Sequence, residues 1–417
     1  MNESGLHQRG PDRLSLSFIS PLLARPIGRL AAFAPIRQTT MRSSTLGLAA
    51  ARSSTRRRYN SRPLPSTSSL IYITNTIGTS TTVRFLSSRA ALASSRITPS
   101  RYRNQIPINP HIRTRMSTGQ KTSGPQGNDL FTRNHLFDLT GKVALVTGGA
   151  TGIGLMATQA LAANGARVYI ASRDQGKLDN AAETYSQNAA GEIVPLQADV
   201  TSKADIDRLF SEIESREGRL DVLVNNAGVS SGPVEVESDD AADMASSLFG
   251  SESSTFDDWT DTYRTNVAAV FYVAARFLPL LQKSTDAHPG WSGTLINISS
   301  ISGMVKVSQH HFSYNASKAA AIHVNRMLAQ EVAANGLRVR VNSIAPGVFP
   351  SEMTTKEPAD AEQKSAIPKE KYEGKVPAGR PGKDEDMAAT VLFFACNQYL
   401  NGQTLAVDGG YTLAAGL

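Results

Sequence analysis

The chain has 417 residues, 40% of them apolar, and a formal net charge of +7, enough length and apolar content for one large core or two smaller ones. The charge is unevenly placed: residues 1–120 hold 18 arginines, no lysine, and only Glu3 and Asp12 as acids, so residues 121–417 are net acidic and give no support to a nucleic-acid-binding core. Cys396 is the single cysteine, which excludes an intrachain disulfide and a Cys-based metal site, and no stretch approaches the ~18 uninterrupted apolar residues of a membrane-spanning helix.

Residues 1–120 carry no sustained helical or alternating pattern and are rich in Ser, Thr, Arg and Pro. Such a segment cannot bury enough apolar surface to offset its ordering entropy, so a disordered leader is expected there. Arg-rich, Ser-rich and acid-poor is also the composition of a mitochondrial targeting peptide, most clearly from Met41 to Arg58. Two other readings stand beside it: an unselected stretch upstream of a start at Met41 or Met116, or a polyanion-binding arm, although no aromatic-rich RNA module accompanies the arginines. The expected location is mitochondrial if the leader is translated and cytoplasmic otherwise.

The texture changes at Leu136, and residues 136–417 read as one globular domain. Lys142–Val146 is an apolar run of strand length, followed by the turn Thr147-Gly148-Gly149-Ala150-Thr151-Gly152-Ile153-Gly154 and by a helical stretch from Leu155 to Asn164 with Gly165 as its stop. Strand, glycine turn, helix suits a dinucleotide: the glycines admit its diphosphate, and the helix start offers free N–H groups and a positive dipole end. The next strand, Arg167–Ala171, ends in Ser172-Arg173, where an NAD site usually offers a carboxylate to the adenosine ribose. Arg173 instead suits a 2′-phosphate, so NADP(H) is expected over NAD(H), with Lys177 one helical turn further on adding to it.

Strands and helices go on alternating. Ile193–Ala198 leads to Asp199-Val200, Thr201 is placed to cap an amphipathic helix reaching Glu214, and Leu220–Val224 runs into Asn225-Asn226-Ala227-Gly228. Thr294–Ile298 and Val339–Ile344 supply a fifth and a sixth strand. The pattern predicts an α/β fold, a single Rossmann-type doubly wound parallel sheet covered on both faces. Between the last two of these strands lies Tyr314-Asn315-Ala316-Ser317-Lys318, opening an Ala-rich helix. A four-residue step sets Tyr314 and Lys318 on one helix face, and an ammonium beside a phenol is expected to pull its pKa down from about 10.

Thr147-Gly148 with Gly152 and Gly154, Asn225-Asn226-Ala227-Gly228, Asn266, Ser300, Tyr314 with Lys318, and Ala345-Pro346-Gly347 stand in the order found in short-chain dehydrogenases/reductases. The chain resembles that family over residues 136–417, and within it the branch of 3-oxoacyl-carrier-protein reductases and the fungal relatives of the rhamnolipid-pathway ketoacyl reductase. The resemblance implies an enzyme moving a hydride between a nicotinamide and a small-molecule carbonyl or secondary alcohol, with a 3-oxoacyl thioester, a small ketone, a sugar or a steroid all open. A nucleotide-binding protein without catalysis is the alternative. It further implies that Tyr314 exchanges a proton with the substrate oxygen, Ser300 holds that oxygen, with Ser299 the minority choice, Lys318 lowers the phenol pKa and holds the ribose, and Asn266 anchors a water. Cofactor contacts are expected at Gly148, Thr151, Gly152, Ile153, Gly154, Ser172, Arg173, Asp199, Val200, Asn226, Ala227, Gly228, Tyr314, Lys318, Pro346, Gly347 and Val348.

Relatives of this kind form homodimers or homotetramers through such helices, and the same is expected here. The stretch Val229–Thr265, with Glu235 to Asp240, is longer than the family generally has and reads as an acidic surface insert or as a rim on the substrate cleft. Val348–Pro381 reads as a mobile lid, His310, His311 and Phe312 as cleft-lining residues or, more in keeping with the usual place of histidine, as surface ones, and Phe394–Tyr399 as a stretch shortened by a local deletion or by an error in the gene model.

Overall fold

The computed structural model describes residues 125–417. The arginine-rich segment, residues 1–120, and both alternative starts lie outside the described residues. A short helix, α1 (Arg133–Leu136), precedes β1 (Val143–Thr147), which is buried along its whole length. After it come α2 (Gly152–Ala163), β2 (Arg167–Ser172), α3 (Gln175–Ser186), β3 (Glu192–Gln197), α4 (Lys203–Glu217) and β4 (Val222–Asn225). The inserted region folds into α5 (Ala241–Gly250) and α6 (Phe256–Tyr263), and a π turn over Arg264–Ala269 joins α6 to α7 (Val270–Ala287). The rest is β5 (Thr294–Ile298), α8 (Phe312–Ala334), β6 (Arg340–Pro346), α9 (Glu352–Thr355), α10 (Asp384–Cys396), β7 (Thr404–Val407) and α11 (Tyr411–Ala415).

The seven strands among the described residues are all parallel, in the order β3-β2-β1-β4-β5-β6-β7. Strand side chains alternate between the two faces. Ala144 and Val146 therefore join one core with Leu155 and Leu161 of α2, Leu178 of α3 and Phe394 of α10, while Val143 and Leu145 join the other with Phe210 of α4, Phe277 of α7 and Val332 of α8. A sheet covered on both faces explains why its strands read as near-continuous apolar runs. The chain reverses its winding between β1 and β4, the place where an open α/β sheet leaves a crevice beyond its carboxyl ends.

Register fixes what meets there. Thr147 pairs with Ala171 on one side and Asn225 on the other, Asn225 with Asn297, and Ile298 with Ile344. The residues just beyond these ends, Gly148, Ser172, Asn226, Ser299 and Ser300, are thus delivered to one rim by strand pairing alone.

Boundaries depart from the sequence reading where a neighbour's side chain competes. Ser202, not Thr201, caps α4 by accepting the Asp205 N–H, because Thr201 is already drawn to the Asp199 carboxylate. The helix runs on to Glu217 and stops at Gly218, whose φ of +68° ends it in the left-handed region. The stretch after α10 closes without a gap: Arg340 donates to the carbonyls of Phe394 and Ala395, and Gln398 accepts the Ser292 N–H at 2.7 Å. The continuous helical stretch Phe256–Ala287 is long and apolar enough by composition to cross a membrane, but Val273, Phe277, Leu280 and Leu281 face the core.

Candidate active site

An open cleft of about 410 Å³ lies over the carboxyl ends of β1, β2, β4 and β5. Its floor is the glycine turn. Gly152 sits at φ +52°, and a Cβ on Gly154 would lie 1.9 Å from the Gly148 carbonyl oxygen, so the turn can bring the start of α2 to the cleft only with glycine at both places. Asn226 locks it from the other side of the switch point, donating to the carbonyls of Thr147 and Gly148 at 3.1 and 3.0 Å, while the Thr147 hydroxyl accepts the N–H groups of Asn226 and Ala227.

Fifteen of the seventeen expected cofactor positions line this cleft; Gly154 and Val348 do not. Gly154 acts from beneath by packing against Gly148, and Val348 uses its carbonyl to accept the Gly382 N–H. Among the described residues the Arg173 guanidinium, which lines the cleft, has no ion-pair partner. Lys177 does have one. Its ammonium meets both oxygens of Glu352 at 2.8 and 2.9 Å, so it is not a free second cation for a 2′-phosphate as the helix spacing suggested.

At the far end, Tyr314 and Lys318 project from the start of α8, and the Lys318 ammonium lies 5.6 Å from the phenol ring centre. Lys318 is 5% exposed and donates to the Ile298 carbonyl at 3.2 Å. Ser300, just past β5, lines the cleft beside the phenol, and its hydroxyl accepts the Ser302 N–H at 3.1 Å. Ser299 is turned the other way, its hydroxyl held by Ser343 at 2.8 Å and by the Ile344 carbonyl at 3.0 Å.

The expected depression of the phenol pKa is not met. Burial pushes Tyr314 above its ordinary value, and the neighbouring Ser300 hydroxyl only partly opposes this. Burial also pushes Lys318 down, to about 8. Helix spacing predicted the attraction between the two groups but not the desolvation that both suffer.

Asn266 lies in the π turn and is 1% exposed. Its side-chain amide donates to the Val229 carbonyl and the Ser317 hydroxyl, and its oxygen accepts the Val229 N–H. Anchoring a water there would therefore fall to main-chain groups, which a π turn loosens from the helical ladder. A Cβ on Gly228 would lie 3.1 Å from the Asn266 oxygen and 3.5 Å from the Lys318 ammonium, so glycine keeps that end of the cleft open.

The insert forms a rim. Val234 donates its N–H to the His310 carbonyl, and Asp258 accepts from Gly232 N–H and from the Ser313 hydroxyl beside Tyr314. His310 and His311 do not line the cleft but tie this rim to the catalytic-side loop, His310 facing Glu235 and Glu237 and His311 facing the Ser231 carbonyl. Phe349, Ser351, Glu352, Met353 and Thr354 lie in the expected lid but are not among the expected cofactor positions, because nothing local shows that the segment after Gly347 folds back over the glycine turn.

A crevice at the switch point with free helix N–H groups, glycine-cleared walls and a Ser-Tyr-Lys cluster at one end defines a nicotinamide-dependent oxidoreductase. The chain belongs to the short-chain dehydrogenase/reductase family: residues 142–362 match the short chain dehydrogenase family. It is 39% identical over 282 residues to the short-chain dehydrogenase/reductase PhomF of Diaporthe leptostromiformis, covering 66% of this chain and 92% of that protein. It is 36% identical to the rhamnolipids biosynthesis 3-oxoacyl-acyl-carrier-protein reductase of Pseudomonas aeruginosa, covering 66% and 98%. The solved Pseudomonas aeruginosa RhlG/NADP active-site complex matches with a TM-score of 0.54 at 34% identity, over 66% of this chain and 98% of that one.

Proposed function

We propose that the protein is an NADP-preferring reductase of a ketone, with a 3-oxoacyl thioester as the first candidate substrate and a small ketone, sugar or steroid as the alternatives. The observation that carries the reading is the shared cleft, which has an unpaired guanidinium, Arg173, at one end and Tyr314 with Ser300 and Lys318 at the other. The thioester choice draws on the activity stated for the Pseudomonas aeruginosa relative, and the NADP choice on Arg173 and on the NADP complex of the solved relative.

The residues present fit a nicotinamide dinucleotide: Gly152, Ile153 and the rest of the first turn of α2 offer backbone N–H groups to the diphosphate, Arg173 suits the 2′-phosphate, and Gly228 leaves space next to Lys318. When bound, that cofactor supplies or takes up a hydride. In reduction Tyr314 gives its phenolic proton to the substrate oxygen, and burial suits it to this by keeping the phenol protonated at neutral pH. Ser300 donates to the same oxygen, and Lys318 stabilises the phenolate left behind.

A panel of an acyl thioester, a steroid ketone, a sugar and a quinone, each offered with NADPH and with NADH, tests the reading through nicotinamide absorbance. A charge-assisted hydrogen bond from Arg173 is worth about 1.5–3 kcal/mol, so NADPH should be favoured in kcat/KM by roughly ten- to a hundredfold. Replacing Ser172 by Asp and Arg173 by Ala should reverse the order. Equal use of both cofactors by the unaltered protein would contradict the assignment of Arg173.

A further inference from the structure

The segment from Val348 to Pro381 lies down on the cofactor end of the molecule as a strap. Ser351 sits on the glycine turn, so close that a Cβ on Gly152 would lie 2.9 Å from its own Cβ. Beyond α9 the strap is stitched to α3: Gln363 donates to the Lys177 carbonyl at 2.9 Å, Asn180 donates to the Ala361 carbonyl at 3.0 Å, and the Tyr185 hydroxyl donates to the Glu362 carbonyl. One ion pair joins these two sets of contacts. It is the bidentate contact of Lys177, in the first turn of α3, with Glu352, in the first turn of α9.

Glu352 lines the cleft together with Ser172 and Arg173, whereas Lys177 stands just outside it. The cleft thus carries a carboxylate in the same lining as the guanidinium proposed for the 2′-phosphate. A carboxylate in that place repels an anionic cofactor, and repels one with an additional phosphate more. The Lys177 contact holds the Glu352 carboxyl below its usual range, and the Ala359 N–H adds to this, so the group is ionised at neutral pH. Its charge is masked only as long as Lys177 stays on it.

We propose that Glu352 is a specificity-determining residue for the cofactor, setting the discrimination between NADPH and NADH by holding Lys177 away from the 2′-phosphate, while Lys177 in turn masks the carboxylate. The proposal rests on the nicotinamide-cofactor reading of the cleft but not on which cofactor wins. Removing the carboxylate releases a cation at the adenosine end. Removing the cation exposes an anion there. The two substitutions therefore push discrimination in opposite directions, and the double substitution falls between them.

The test is fluorescence titration of the purified full chain with NADPH and with NADH, for the unaltered protein, Glu352→Gln, Lys177→Gln and the double variant. Exposed and half-buried ion pairs are worth up to about 1 kcal/mol, so Glu352→Gln should raise the NADPH-over-NADH affinity ratio by about three- to fivefold and Lys177→Gln should lower it by a similar factor. Both effects should shrink at high salt. Should the unaltered protein prefer NADH, the Arg173 assignment fails, but opposite shifts in the two single variants still support the role of Glu352. An unchanged ratio in Glu352→Gln overturns the proposal. So does equal weakening of both cofactors in both single variants, which would mean that the pair only fastens the strap.

Discussion

Two groups four residues apart, Tyr314 half-buried and Lys318 buried, do different things to the stability and to the chemistry. The folded-state pKa of Lys318 is lowered from 10.5 to about 8, so the unfolded chain binds more protons than the folded one between those values. The penalty of its buried charge is therefore full below about pH 8 and is relieved as pH rises toward 10.5. Lys318→Met should raise stability at pH 7 by on the order of 2 kcal/mol while abolishing turnover and weakening cofactor binding, and thermal melts of the two proteins would show it. A variant less stable than the parent would contradict the buried-charge reading. For the unaltered enzyme in the reductive direction, kcat/KM should fall as pH rises through about 8, where Lys318 loses its proton in the free protein. The Tyr314/Lys318 spacing was legible in the sequence because a helix repeats every 3.6 residues. The rise in the phenol pKa was not, since it depends on the walls of a cleft built from distant segments.

Among the elements, the strands and the glycine turn could be read because apolar runs and glycines are local signals. Contacts made across the fold left no such trace. Asn225 donates to Asn297, which donates to Asn325, a buried chain joining β4, β5 and α8 under the site, and no spacing in the sequence announces it. The partner of Lys177 is likewise on a strap 175 residues away. Gly154 shows how a local signal becomes a packing constraint. Its α-carbon faces the Gly148 carbonyl, so Gly154→Ala should lower cofactor affinity at least tenfold and destabilise the fold by about 1–3 kcal/mol through the shifted turn. Titration and melting on one preparation would test this, and wild-type affinity in that variant would mean that the turn is not rigid. The segment expected as a lid is fastened to α3 by Gln363, and the insert meets the loop before Tyr314 through the Val234 N–H and the His310 carbonyl.

For the whole molecule, the net acidic domain and the arginine-rich first 120 residues are separate problems, and only the first has a described structure. We propose that the second directs import: a fusion carrying residues 1–115 should enter mitochondria while one starting at Met116 stays in the cytosol, and identical distribution would refute it. Phe271 and Tyr272 of α7 and Met327 of α8 remain 40–46% exposed on the outer helices, an apolar surface suited to a second copy. A dimer or tetramer is therefore the expected species in sedimentation at micromolar concentration, and a monomer would count against it. The central claim is that the molecule brings Tyr314 to a substrate oxygen at the end of a nicotinamide cleft. Its most direct test is turnover of NADPH with the best ketone of the panel, by the unaltered chain and by Tyr314→Phe, alongside cofactor titration of both. The account predicts a loss of kcat of about a hundredfold or more in the variant with cofactor affinity retained, because only the transferable proton is removed. Full activity in Tyr314→Phe would contradict it.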